Sequence, residues 1–83
     1  MKVHIKYFAS IREAVGLGAE TFNTEVLTVA ALRDELILRG GGYSDSLARG
    51  RAVRVALNQT LSDESVALVE GAEVAFFPPV TGG

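Results

Sequence analysis

The last six residues, Pro78-Pro79-Val80-Thr81-Gly82-Gly83, are the most unusual chemical segment of this chain. Two prolines favour an extended polyproline course, so the segment is expected to leave a folded body and reach about 20 Å at full extension. Gly82 and Gly83 have no side chains, so their backbone fits a narrow channel, and Gly83 as the last residue presents an unhindered acyl carbon to a nucleophile. Gly83 is thus the expected reacting residue. Gly82, Thr81, Val80, Pro79 and Pro78 are the arm that delivers it. A frayed end is the plain alternative, since most termini are frayed. Fraying does not require a dense strand (Val74-Ala75-Phe76-Phe77), a rigid Pro-Pro exit and a bare diglycine in succession.

Other chemistry has little material. The chain has no cysteine, which removes disulfides, thiolate metal sites and a cysteine nucleophile together, so any sulfur it carried would sit elsewhere than on a side-chain thiol. A single histidine, His4, leaves no catalytic triad and no multi-histidine metal site, and no metal is expected. On a mixed strand face His4 reads as a solvated residue, and Arg12 as a residue serving its local helix. Gly40-Gly41-Gly42 lacks the Gly-Lys-Ser/Thr of a phosphate loop and follows a helix rather than opening one; Gly16-Leu17-Gly18 lacks the third glycine of a dinucleotide fingerprint. The acidic pairs Asp34-Glu35 and Asp63-Glu64 read as solvated faces. A net charge of −2 with scattered Lys and Arg supplies no field for a nucleic-acid backbone. No apolar run approaches a membrane span, and the alternating N-terminus is unlike a signal peptide, so a cytoplasmic protein is expected.

The elements that position the tail follow from periodicity. With 83 residues the chain makes one small domain, which buries only about 60 to 65% of its unfolded surface and has no room for a deep active site. Lys2 to Ala9 alternates with a period of two and predicts a strand. Ser10-Ile11-Arg12-Glu13 fits a capping box opening a short helix, with Gly16 and Gly18 to stop it. Glu20 to Glu25 predicts a second strand pairing with the first. Thr28 is the expected N-cap of the chain's one substantial helix, Val29 to Arg39, where Arg39 would suit the C-terminal dipole and Gly40-Gly41-Gly42 the stop. A polar connection over 43–50 with one helical turn leads to a strand over Arg51 to Leu57. A turn at Asn58-Gln59-Thr60, a short extended piece at Leu61, and a last strand from Glu73 to Phe77 ended by Pro78 complete the body. The fold class is therefore α+β: a β-grasp mixed sheet of about five strands with one main helix on one face, with 1–77 as the domain and 78–83 as the tail.

Strand parity adds a surface. If Val3, Ile5 and Tyr7 face the helix, Phe8 shares the opposite face with His4 and Lys6; if Val74 and Phe76 face inward, Phe77 points outward. Phe8, Phe77 and Leu61 then form an apolar patch beside the tail, suited to a partner.

Three segments carry a family resemblance. Phe76-Phe77-Pro78-Pro79-Val80-Thr81-Gly82-Gly83 resembles the C-terminal signature of molybdopterin synthase small subunits, ubiquitin-like sulfur carriers. Tyr7-Phe8-Ala9-Ser10-Ile11-Arg12-Glu13 is similar to that family's N-terminal segment, and Val55-Ala56-Leu57-Asn58-Gln59-Thr60-Leu61 to its strand and turn. The resemblance implies that Gly83 is adenylated from ATP by an activating enzyme and converted to a thiocarboxylate by a persulfide sulfur donor. It further implies that the tail enters a large synthase subunit, where two sulfur transfers turn cyclic pyranopterin monophosphate into the molybdopterin dithiolene. On this reading the chain binds no cofactor, ATP belongs to the activating enzyme, and two small and two large subunits form a heterotetramer. Partner contacts fall at Phe8, Leu61 and Phe77. The same terminal chemistry would also serve thiazole, cysteine or tRNA thiolation, or a protein modifier joined to lysines through an isopeptide at Gly83.

Overall fold

Strand β1 (Lys2–Tyr7) buries Val3, Ile5 and Tyr7 and turns Lys2, His4 and Lys6 to the opposite face, the alternation a pleated strand imposes. A computed structural model describes residues 1–80, so Thr81, Gly82 and Gly83, expected as the end of the arm and its reacting group, lie outside the described residues. Strand β2 (Ala19–Asn23) pairs antiparallel with β1, Val3 opposite Phe22 and Ile5 opposite Glu20. Between them runs α1 (Ala9–Val15), closed by Gly16 in the left-handed conformation.

The expected capping box on Ser10 does not form. Phe8 occupies the N-cap position with extended backbone, no side chain caps the helix, and Ser10 lies inside it. The reason is the sheet: the Phe8 N–H donates to the Phe76 carbonyl at 3.2 Å, holding the chain extended until Phe8. The chain then reverses through Ala9 at φ 51°, one position too early for Ser10 to act as the cap.

Helix α2 (Val29–Ile37) starts as expected, the Thr28 hydroxyl accepting from the Ala31 N–H at 3.2 Å, and buries Val29, Leu32 and Leu36. It ends before Arg39, which serves a different purpose. Arg39 stacks over the rings of Phe22 at 4.5 Å and Tyr43 at 5.0 Å and pairs with Glu20 at 3.0 Å. Nor does the glycine triplet only stop α2: it opens a further helix, α3 (Gly41–Leu47), in place of the expected polar connection. Gly40, at φ 75°, reverses the chain, and at Gly42 a Cβ would overlap the Ala14 carbonyl. The glycine is there because α3 lies directly on the backbone of α1.

Strands β3 (Arg54–Leu57) and β4 (Thr60–Ser62) form a hairpin over Asn58 and Gln59, both with positive φ, the twist-matched geometry of a two-residue turn. Strand β5 (Glu73–Phe77) enters the middle, parallel to β1 and antiparallel to β3, giving the five-stranded order β2-β1-β5-β3-β4. Ile11, Leu32, Leu36 and Leu47 from the three helices join Val3, Ile5, Tyr7, Val74 and Phe76 in one core, so the helices cover one face of the sheet. The observed architecture is the expected mixed β-grasp sheet, with α2 the longest helix and two short helices beside it.

Two polar clusters hold the helical layer, and neither acidic pair is a plain solvated face. Arg33 is 4% exposed. Its guanidinium donates to the carbonyls of Leu47 at 2.7 Å and Ala48 at 2.9 Å, capping the end of α3, and pairs with Glu64 at 2.7 Å. Arg49 ties Glu64 to Asp34, and Glu35 accepts from the Thr24 hydroxyl. On the other flank Glu20 accepts from the Tyr7 hydroxyl at 2.8 Å and the Tyr43 hydroxyl at 2.7 Å. Burial, then the hydrogen bond to Glu20, pushes the Tyr7 phenol far above its ordinary range. Burial opposes ionisation of Glu20 too, but the hydrogen bonds from Tyr43, Tyr7 and Arg39 outweigh it and hold the carboxyl below its usual range.

Replacing Arg33 with alanine leaves the carbonyls of buried Leu47 and half-buried Ala48 without this donor and Glu64 with Arg49 alone, and is expected to cost about 3 kcal/mol in urea denaturation. Because the Glu20 pKa is lowered by folding, its contribution is complete above the unfolded value of about 4.3 and is lost as pH falls through the folded value. The stability difference between the parent and Glu20→Gln, measured by thermal melts from neutral to acid, should therefore shrink in acid.

Candidate functional site

Because β1 and β5 run parallel, both end at the same border of the sheet, and the residues just beyond them emerge together. Phe8 is 46% exposed and Phe77 half-buried, both on the face away from the helices, as their strand parity requires. With Ala56, Ala75, Gln59 and Glu73 they line a concavity of about 430 Å³. Ala56 and Ala75 are direct partners across β3 and β5, and their short side chains leave the space that the two phenylalanines border. Glu73 forms part of the rim, paired with Lys6 at 3.3 Å. Asn58 accepts from the Glu73 N–H at 2.9 Å, pinning the β3–β4 turn to β5.

Leu61 stands opposite Ala56 in register, on the same outer face, and is 63% exposed. It lies one strand beyond the concavity and is not among the residues lining it. The structure thus brings Phe8 and Phe77 together and sets Leu61 as an apolar extension towards the edge strand. His4, also on this face, shares a hydrogen bond with the Thr21 hydroxyl at 3.2 Å.

A second hollow flanks the tail, and sequence reasoning missed it. Pro78 borders a cleft of about 250 Å³ whose other walls include Ser10, Ile11 and Ala14 of α1, Asp45 of α3, and Arg51. This cleft exists because α1 and α3 pack side by side at Gly42. The signal was present in the glycine triplet, which reads locally as a helix stop and only in three dimensions as a helix contact. Consecutive residues therefore border different hollows: Phe77 the apolar concavity of the sheet, Pro78 the polar cleft of the helices. Pro78 and Pro79 are half-buried, and Val80 is 91% exposed. Among the described residues no group of His, Cys, Asp or Glu is arranged to hold a metal ion, and no helix is long and apolar enough to cross a membrane. The geometry suits a surface that docks beside an outgoing arm. It assembles no acid–base pair or nucleophile at the described part of the tail.

Comparison with known proteins gives consistent matches. The model of the ThiS family matches residues 5–83. The molybdopterin synthase sulfur carrier subunit of Escherichia coli is 40% identical over 81 residues, covering 98% of this chain and 99% of that protein. Among solved structures, the putative molybdopterin converting factor subunit 1 from Pyrococcus furiosus superposes with a TM-score of 0.79 at 27% identity, covering 96% of this chain and 99% of that one. A chain of the protein–protein complex of subunits 1 and 2 of molybdopterin-converting factor from Helicobacter pylori superposes with a TM-score of 0.70 at 26% identity, with both chains fully covered.

The two adjacent phenylalanines should separate cleanly in equilibrium denaturation. Phe76 is fully buried against Tyr7, so Phe76→Ala should cost about 4 kcal/mol. Phe77→Ala and Phe8→Ala, on the outer face, should each cost about 1 kcal/mol or less.

Proposed function

The chain belongs to the ThiS family, and from that membership we propose that it is the sulfur carrier subunit of a molybdopterin synthase. The single observation that carries the proposal is the juxtaposition of an apolar docking concavity, Phe8 with Phe77, and the root of a Pro-Pro arm at the same border of the sheet. The full-length identity to the Escherichia coli carrier supports the assignment. So does the likeness to a chain in a complex of subunits 1 and 2 of molybdopterin-converting factor, which points to a large-subunit partner.

Chemistry at Gly83 then divides between this chain and its enzymes. A carboxylate resists nucleophilic attack, so an activating enzyme transfers AMP from ATP to the terminal oxygen and releases pyrophosphate. The terminal sulfur of a protein persulfide attacks the acyl carbon and AMP leaves. A thiol then reduces the resulting acyl disulfide, leaving C(=O)–S⁻ on Gly83. In the large subunit this sulfur forms a C–S bond to cyclic pyranopterin monophosphate as a C–O bond of that carbon breaks and its oxygen leaves, and water then cleaves the acyl–sulfur bond, leaving the sulfur on the pterin and returning the terminus to a carboxylate. Two carriers supply the two dithiolene sulfurs, which suits a heterotetramer of two small and two large subunits. The chain itself binds no cofactor and works in the cytoplasm, where its activating enzyme finds ATP. Its own contribution is reach and docking: Pro78, Pro79, Val80, Thr81 and Gly82 span the distance, while Phe8, Phe77 and Leu61 contact the partner.

Incubation with an activating enzyme, ATP and a persulfide donor should exchange one oxygen for sulfur in the intact mass. Adding one residue after Gly83 should preserve folding and abolish loading. No exchange in the parent chain would refute the carrier reading. Co-purification with a synthase large subunit, weakened by Phe8→Asp and Phe77→Asp, identifies the acceptor. Preferential binding to a thiazole synthase, or lysine adducts formed through Gly83, would reassign it.

A further inference from the structure

Two exposed arginines, Arg51 and Arg54, flank the point where the tail leaves the body. On the outer face β1, β3 and β5 carry Lys2, Lys6 and Arg54 against one strand carboxylate, Glu73, with the Glu70 carboxylate on the Lys2 N–H at the far end, in a chain whose net charge is −2. Lys6 takes the Glu73 carboxylate at 3.3 Å. Arg54 stands opposite Phe77 in the β3–β5 ladder, beside the last strand residue before Pro78. Arg51 reaches the same point from the other side, lining the cleft that Pro78 borders and sharing it with Asp45. Both arginines are exposed, and among the described residues neither has a carboxylate within salt-bridge distance, a condition they share with Arg12 on α1, whereas Arg33, Arg39 and Arg49 are paired.

In water an exposed guanidinium needs no partner. A protein that takes up the tail must close around Pro78, and so must strip water from both of these groups. A basic or purely apolar mouth would leave two desolvated charges unpaired, at several kcal/mol. Carboxylates there would convert the same desolvation into bidentate pairs, for which the planar guanidinium is suited. Acidic groups at the mouth would not repel the anionic Gly83. That residue lies five positions past Pro78, up to about 17 Å deeper along an extended chain, where a unit charge at the mouth acts on it with only about 1 kcal/mol at an effective dielectric near 20, and the paired arginines offset that.

We propose that Arg51 and Arg54 recognise carboxylates at the mouth of the channel that admits the tail, so that the partner presents an apolar projection to the Phe8–Phe77 concavity within an acidic rim. The inference rests on the carrier reading, and it adds what that reading leaves open, the chemistry of the receiving surface.

Association with a synthase large subunit, followed by stopped flow at about 0.05 and 0.5 M salt, tests it. Arg51→Glu combined with Arg54→Glu should slow association about tenfold at low salt and flatten its salt dependence. Arg54→Lys should keep most of the rate, and Lys2→Glu, on the same face but at the opposite end of β1, should change it less than twofold. Unchanged melting temperatures confirm that the variants fold. Association of the double variant that is as fast as the parent's, or faster, would overturn the proposal, the latter showing a basic mouth. Loss of the arginine effect in a chain lacking residues 81–83 would also overturn it, by showing that the arginines serve the chain's own terminus. A parent chain that binds no large subunit at all would refute the carrier reading, and this inference with it.

Discussion

Two strands from opposite ends of the chain lie side by side in the same direction, His4 against Glu73 through Tyr7 against Phe76. Parallel neighbours cannot be joined by a hairpin, so everything between them has to cross back over the sheet. That crossover contains α2, α3 and the β3–β4 hairpin, and β5 can enter only as the central strand they leave open. The same direction brings the ends of β1 and β5 to one border. There Phe8 turns into α1 and Phe77 into the tail. Reverse β5 and the docking concavity and the arm would part company.

A body this small has few apolar groups with which to fasten three helices to a sheet. Its solution is a shared core backed by two directional clamps. Arg33 reaches from α2 to the last carbonyls of α3, groups a short helix leaves unsatisfied. Glu20 gathers Tyr7, Tyr43 and Arg39 from β1, α3 and the turn after α2. These contacts set how α3 lies on α1, and hence the cleft beside Pro78. Stability and tail placement are coupled through the same packing.

The division of labour in the proposed chemistry follows from size. No described pocket encloses a reacting group; the hollows at the tail are open and shallow in chemistry, one bordered by alanine and phenylalanine, the other by a serine, an aspartate and an arginine. Such surfaces recognise a partner and leave bond making to it. The terminal acyl group then needs only to be free and far from the body, which proline and glycine arrange at no cost in side-chain contacts.

What the sequence by itself determined is whatever depends on local period and stereochemistry. The alternation in β1 assigned Val3, Ile5 and Tyr7 to the core and Phe8 to the open face. Thr28 marked the start of α2, Asn58-Gln59 the tight turn, and Pro78 the end of β5. What the tertiary structure alone decided depends on two segments meeting. Ser10 looked like a cap until the bond from Phe8 to Phe76 moved the start of α1 ahead of it. Gly42 looked like a helix stop until α3 came to rest on Ala14. Arg39 read as a complement to a helix dipole, and nothing local marked Arg33 or Glu20, because their partners lie 14 to 31 residues away. The pairing of Phe77 with Arg54, and of Pro78 with the α1–α3 cleft, is of the same kind. A period can say which way a side chain points, but not what it will meet, because its partner's position depends on the path of the whole chain.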